Sequence, residues 1–364
     1  MNIGIITQPL LVNYGGLLQA YALESVLNQL GHKAVILDED LFSVPKRRVI
    51  KRLLELGIKK YILRDKGIDF HGKEKEKAIF EIESKRISYF VNNQIVKRQY
   101  VGKYTLSSKE FDAIIVGSDQ VWRPKYNFPI EDSFLKFAKD WNIKRIAYAA
   151  SFGTDKWEYS EKQTKNCCQL VQKFDAVSVR EESGIALCKE YLDVDAVLVL
   201  DPTLLLSKND YIQIFKSNNT PKSNGNLLSY ILDPTIEKTS LIKDVSSQKK
   251  LIPFYVNKKL EDGSFPSVES WLRGFYDAEY VITDSFHACV FSIIFNKQFA
   301  VVPNNERGVS RLLSLFNTLG TGNRMVASYS DLTKLPEIDY TIVNTNLEKW
   351  KEKSIGFLKK NLSV

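Results

Sequence analysis

Short runs of consecutive apolar residues alternate along this chain with longer stretches in which apolar positions recur every three or four residues. That alternation predicts strands and amphipathic helices in turn. Ile3 to Thr7 reads as a first strand, the apolar positions from Leu17 to Leu30 as a helix closed by Gly31, and Ala34 to Leu37 as a second strand. This order opens a parallel α/β sheet. Residues 67–108 are rich in charge and mostly helical in pattern. Strands are expected again at 111–116, 145–149, 174–179 and 197–200. Asn218 to Gly225 is a turn-rich linker, after which the alternation restarts. Strands are expected there at 227–232, 251–255, 280–282 and 299–302, helices at 236–247, 267–276, 286–295 and 308–319, and a closing helix at 346–362. The implied architecture is α/β, with two Rossmann-like domains facing each other across a cleft. Residues 1–220 form the first, 221–335 the second, and 336–364 return as a closing helix.

Polar chemistry collects where the predicted strands end, the side on which parallel sheets bind ligands. Asn13, Tyr14 and Gln19 follow the first strand, with Gly15-Gly16 expected at the end of a loop; Gly117-Ser118-Asp119-Gln120 follows the 111–116 strand, and Arg180-Glu181 the 174–179 strand. The stretch from Val281 to Ala288 reads as a strand end, a Thr-Asp-Ser turn and a helix with a histidine in its first turn. The first N–H groups of a helix have no intrahelical partner, and with the positive end of the helix dipole they form a site for a phosphate or carboxylate. His287 would sit beside that anion. Asp284 or Ser285 equally suits a plain helix cap, and His287 a core position. Spacing leaves both readings open. A nucleophilic Cys289–His287 pair is disfavoured, because residues two apart on a helix point to different sides.

The length of 364 residues suits two domains, and 44% hydrophobic with 26% charged residues describes a globular protein. No stretch approaches the roughly 20 apolar residues of a membrane span. The amino terminus reads as a strand and not a signal peptide, so the expected location is the cytoplasm. Four cysteines without a C-x-x-C spacing support neither zinc nor redox chemistry, and no metal is expected. Much of the net charge of +8 lies in residues 46–66, where nine Lys or Arg interleave with apolar positions at helical spacing. Such a helix packs on its own domain or lies on an anionic membrane surface, which makes peripheral membrane contact an expectation. No nucleic-acid recognition motif accompanies the charge. The loop after the first strand lacks G-x-G-x-x-G and Walker patterns, and Asp38-Glu39-Asp40 reads as a solvated turn despite its D-x-D spacing.

Six motifs taken together resemble the polysaccharide pyruvyl transferase family. They are Asn13-Tyr14-Gly15-Gly16 with Gln19-Ala20, Gly117-Ser118-Asp119-Gln120-Val121-Trp122, Ser151-Phe152-Gly153, Ser178-Val179-Arg180-Glu181 with Ser183-Gly184, Asp201-Pro202-Thr203, and Thr283-Asp284-Ser285-Phe286-His287, ordered as in the family. The resemblance implies a fold similar to GT-B glycosyltransferases. It also implies transfer of a pyruvyl group from phosphoenolpyruvate to a hydroxyl pair on a sugar or lipid-linked saccharide, forming a ketal in cell-surface polysaccharide synthesis. Under it, His287 and Asp119 are the catalytic candidates, His287 donating a proton or assisting the leaving phosphate and Asp119 acting as base toward the acceptor. Arg180, Ser285, Arg307 and Arg311 are candidate donor ligands, since arginine suits both phosphate and carboxylate. Arg180 also has Glu181 and Glu182 as alternative partners. Asn13, Tyr14, Gly15, Gln19, Ser118, Gln120 and Trp122 are candidate acceptor contacts. No cofactor is implied. Two other readings stand beside this one: a glycosyltransferase with a nucleotide-sugar donor, and a non-catalytic membrane-associated module of polysaccharide assembly.

Overall fold

Two parallel sheets organise the computed structural model, which describes residues 1–40, 42, 72–100, 102–304 and 308–363. The basic segment 46–66 and Arg307 lie outside the described residues. The first sheet contains β1 (Asn2–Ile6), β2 (Lys33–Glu39), β3 (Lys97–Tyr100), β4 (Ala113–Val116), β5 (Lys144–Ala150), β6 (Ala176–Val179) and β7 (Val197–Leu198). Their order is β3-β2-β1-β4-β5-β6-β7, with neighbours parallel throughout. The second contains β8 (Leu227–Tyr230), β9 (Pro253–Phe254), β10 (Tyr280–Thr283) and β11 (Gln298–Val301), again parallel, in the order β11-β10-β8-β9.

The described helices are α1 (Tyr14–Gln29), α2 (Gly72–Glu83), α3 (Ile87–Asn93), α4 (Glu161–Val171), α5 (Glu182–Leu192), α6 (Lys208–Ser217), α7 (Ile236–Lys249), α8 (Val268–Asp277), α9 (Phe286–Ile294), α10 (Val309–Leu319), α11 (Tyr329–Thr333) and α12 (Tyr340–Leu362). Central strands are covered on both faces, so β4 is apolar at every position, Ala113 to Val116, and fully buried. β3 differs. Its sequence Lys-Arg-Gln-Tyr occupies a sheet edge, with Lys97 paired opposite Ile36, and it carries no apolar run to announce it. Two helices also begin earlier than their patterns suggest. α12 starts at Tyr340, capped by the Asp339 carboxylate, and α1 takes Tyr14, Gly15 and Gly16 into its first turn instead of leaving them in a loop.

One apolar cluster spans both halves, with Leu18 of α1, Tyr148 of β5, Trp271 of α8, Phe291 of α9 and Leu358 of α12 among its members. α12 is fixed to the first sheet by a Ser354 hydroxyl that accepts from the Leu200 N–H at 2.9 Å, and by Lys144, whose ammonium donates to the Asn361 carbonyl at 3.2 Å. No described helix is long and apolar enough to cross a membrane.

The strand orders fix where chemistry can occur. In the first sheet the connection order reverses between β1 and β4, and in the second between β8 and β10. Such switch points leave a crevice beyond the carboxyl ends of the two strands. Asn13 and the Asp119 turn lie beyond the first switch point, and Leu232 and the Asp284 turn beyond the second. These four positions line one cavity.

Candidate active site

β10 ends in a polar turn that is fully hydrogen-bonded before α9 begins. The Thr283 hydroxyl donates to the Tyr230 carbonyl at 2.7 Å and accepts from the Ser285 N–H at 3.0 Å. The Asp284 carboxylate accepts from the N–H groups of Leu232 (2.7 Å) and Asp233 (3.1 Å) and from the Lys238 ammonium (2.7 Å). Asp284 therefore binds the β8 and β10 loops together. Ser285 is the N-cap, its hydroxyl accepting from the Ala288 N–H at 3.5 Å. Every residue of α9 is buried, so the apolar remainder of the helix anchors a first turn that faces the cavity.

His287 is held between the two halves. Its Nε2 lies 3.7 Å from Asp201 Oδ2, longer than a hydrogen bond. Its opposite edge packs on Gly15, where an added Cβ would fall 2.1 Å from Nδ1. That close approach explains a glycine in the first turn of α1, a position where helix propensity alone favours alanine. Gly15→Ala is expected to push the imidazole off Asp201. The measurement is a large fall in turnover, accompanied by the roughly 1–3 kcal/mol cost of overpacking in thermal or chemical unfolding. Wild-type turnover in that variant would show that the ring position does not matter.

Behind the imidazole is a buried charge network. The Arg180 guanidinium donates to Asp201 Oδ2 at 2.6 Å and to Asp119 Oδ1 at 3.0 Å, stands 3.8 Å from Glu181, and covers the Phe286 ring at 4.7 Å. Asp201 also accepts from the Ser118 hydroxyl at 3.2 Å and from the Thr203 N–H and hydroxyl at 3.0 and 2.6 Å. Burial pushes the Asp201 carboxyl up, but His287, Arg180 and Thr203 together hold it well below the usual carboxylate range. Asp119 is likewise held below its ordinary value: burial raises it, and Arg180, His287 and Arg311 outweigh that. Glu181, whose carboxylate accepts from the Phe152 N–H at 2.9 Å, is raised by burial despite Arg180 and Arg311.

Arg311 approaches from α10 on the other side, 5.5 Å from the Phe286 ring centre. Burial and the repulsion of Arg180 lower its guanidinium to about 10, which leaves it a cation at neutral pH. The chain reaches α10 through Gly308, whose φ of 77° suits glycine and whose Cα lies against the Gly153 carbonyl of the other half; a Cβ there would fall 1.9 Å from that oxygen. The cavity measures about 80 Å³ and is lined by Asn13, Asp119, Gln120, Ser285, His287 and Arg311, with Leu232, Asp284, Phe286, Asn304, Gly308 and Leu312 completing the wall. It is small beside the roughly 300–1,000 Å³ of typical small-molecule sites. A phosphate- or carboxylate-sized group fits that scale.

Residues 13–306 match the family described as polysaccharide pyruvyl transferase. The chain belongs to the polysaccharide pyruvyl transferase family. A comparison with curated protein sequences gives no match. Among solved structures, the chain is similar to Arabidopsis thaliana UGT89C1 complexed with quercetin, with 11% identity, 98% of each chain covered and a TM-score of 0.51. It is also similar to the UDP-GlcNAc 2-epimerase of Methanocaldococcus jannaschii (12% identity, 99% of this chain and 100% of that chain, TM-score 0.51) and to that of Neisseria meningitidis bound to UDP-GlcNAc (8% identity, 100% and 99%, TM-score 0.51). At these identities the likeness is one of fold: two Rossmann-like domains across a cleft, as in GT-B glycosyltransferases.

The candidate residues are not equivalent in space. Asn13, Asp119, Gln120, Ser285, His287 and Arg311 line the cavity, whereas Gly15 and Arg180 stand directly behind it. The Arg180 side chain is 0% exposed and engaged with the Asp119 and Asp201 carboxylates, and it is not part of the cavity wall. Gln19 and Ser118 are 0% exposed as well and serve the scaffold: the Gln19 amide bonds Thr7, the Gly16 carbonyl and the Ser118 N–H. Tyr14 donates to the Pro266 carbonyl at 2.7 Å and stacks on Trp271, joining the two halves. Trp122 is a core residue, fully buried and stacked on Phe134, and so is withdrawn from any acceptor in the cleft. Asp201 is the member of the network that the sequence reading gave no role, whereas Glu181 was read there as an alternative partner of Arg180 and stands 3.8 Å from it. The Asp-Pro-Thr motif marked Asp201, but nothing local says that its carboxylate faces a histidine 86 positions away.

Proposed function

We propose that this protein transfers a pyruvyl group from phosphoenolpyruvate to two hydroxyls of a saccharide, forming a cyclic ketal. The observation that carries the reading is the composition of the cavity in a chain of this family: Arg311, the free end of α9 and His287 converge on one space of anion size. The 221–335 half then holds the donor, with Arg311 and the α9 N–H groups toward its anionic groups and Ser285 fixing that helix end. The 1–220 half presents Asn13 and Gln120 toward the acceptor; the Asn13 side chain makes no capping bond at the start of α1. Protonation of the donor's methylene carbon leaves a cationic C2. One acceptor oxygen bonds to C2 and loses its proton, the C2–O bond to phosphate breaks, and the second hydroxyl closes the ring with loss of its proton. The products are the ketal and inorganic phosphate. His287 carries the proton to carbon or to the departing phosphate, and Asp201 and Gly15 hold the ring in place. Asp119 faces the acceptor side of the same space.

Thermal unfolding with phosphoenolpyruvate, UDP, GDP, CMP or inorganic phosphate tests the donor. At about a hundred times its dissociation constant, phosphoenolpyruvate is expected to add roughly 2.7 kcal/mol. That shift should vanish in Arg311→Gln. Selective stabilisation by a nucleotide would replace this reading with glycosyl transfer.

A further inference from the structure

We propose that Tyr126 and Phe128 form an aromatic shelf for a sugar ring of the acceptor, adjoining the cavity through Gln120. This rests on the saccharide-acceptor reading above. Phe128 is 92% exposed and Tyr126 47%, the former being the most exposed large apolar side chain among the described residues. Neither packs on the core. The loop that carries them is nevertheless fixed. The Asn127 amide donates to the Gln120 carbonyl at 2.7 Å and to the Arg123 carbonyl at 3.0 Å, and the Gln8 amide bridges the Gln120 carbonyl (3.0 Å) and Asn127 Oδ1 (3.1 Å). Arg123 lies 5.1 Å from the Tyr126 ring centre and is itself clamped by Glu158 through two bonds of 3.0 Å. Two solvent-facing rings are thus held in place by the backbone of a residue that lines the cavity.

A sugar presents an apolar face of C–H groups and a rim of hydroxyls. Aromatic rings match the face, because their large flat surfaces gain from burial at little entropic cost. Amides match the rim, since each offers both donors and acceptors. The Gln8 and Asn127 amide nitrogens are spent within the loop, so the groups left for the rim are the Gln120 amide nitrogen, a donor, and the Gln8 side-chain oxygen, an acceptor. A lipid tail needs a continuous apolar surface, and here Lys125 and Asn127 interrupt the apolar positions along the loop. A saccharide is therefore the occupant. The ring to be modified enters the cavity mouth, and the neighbouring residue of the acceptor rests on the shelf.

The test is direct binding of p-nitrophenyl hexosides and the corresponding disaccharides, followed by saturation-transfer NMR without donor, for the wild type, Phe128→Ala and Tyr126→Ala. Disaccharides are expected to bind the wild type and to bind each variant about three- to tenfold more weakly, on the scale of one lost aromatic contact. Both side chains are solvent-exposed, so the variants should melt with the wild type. Phosphoenolpyruvate stabilisation, measured separately, should be unchanged. Equal disaccharide affinity in all three proteins, or no saccharide binding by the wild type, would overturn the shelf whatever the donor proves to be. Loss of binding to anionic phospholipid vesicles in Phe128→Ala, with saccharide binding intact, would overturn it in favour of a lipid contact.

Discussion

Replacing His287 by asparagine is expected to lower the proposed pyruvyl transfer about 10²- to 10⁴-fold, the usual worth of a positioned acid or base. Donor affinity should change only a few-fold. The split follows from the geometry: Arg311 and the α9 N–H groups remain to hold an anion, while the one ionisable imidazole in the cavity wall is gone. Phosphate release from phosphoenolpyruvate in the presence of acceptor gives the first quantity and calorimetric titration of the donor the second. Asp201→Asn should lower turnover less than the histidine change, because Asp201 acts through the ring it faces. A variant lacking the imidazole yet turning over within tenfold of the wild type would remove His287 from the chemistry.

Arg180→Ala is expected to destabilise the protein by about 3–5 kcal/mol at neutral pH, because it strips the partner from two buried carboxylates. Spread over a domain of this size, that is a fall of roughly 10 °C in melting temperature. The pH dependence identifies the cause. Asp119 and Asp201 are held below their ordinary range in the folded protein, so their contribution is complete above the unfolded value of about 4 and is lost as pH falls below it. The gap between wild type and variant should therefore be widest near neutrality and shrink on acidification. A variant that melts with the wild type and loses only donor binding would mean that Arg180 reaches the cavity after all.

That expectation also shows what sequence reading can and cannot reach here. Arg180 is legible as a cation at a strand end, and strand ends are where parallel sheets bind ligands. Whether it faces ligand or carboxylate is decided by Asp119 and Asp201, which come from two other loops, and no local pattern encodes that choice. The apolar strands β1, β4, β5 and β10 are legible because burial on both faces demands unbroken hydrophobic runs. β3 is not, since an edge strand of Lys, Arg, Gln and Tyr has no such demand. Gly15 looked like a turn residue for the same reason: its real constraint is a histidine ring arriving from the other half of the chain. Trp122 shares a motif with Asp119, but Gln120 and Val121 lie between them and the backbone of Asp119 has a φ of 68°, so that one side chain meets Arg180 and the other stacks on Phe134. The Ser285 cap and the helix it starts were open to inspection, because capping chemistry is local.

The placement of the imidazole has one more consequence. His287 belongs to the second sheet's half, while the carboxylate it faces and the glycine it rests on belong to the first. The ring is completed only when the halves are together, and the backbone contact between Gly153 and Gly308 brings them together without any side chain between. For the proposed reaction the cleft is thus an interlock: parting it by a few ångströms would take the imidazole from its carboxylate at the same moment as it admitted water. A reactive cation derived from the donor would then be generated only where a sugar hydroxyl, and not solvent, is waiting to capture it.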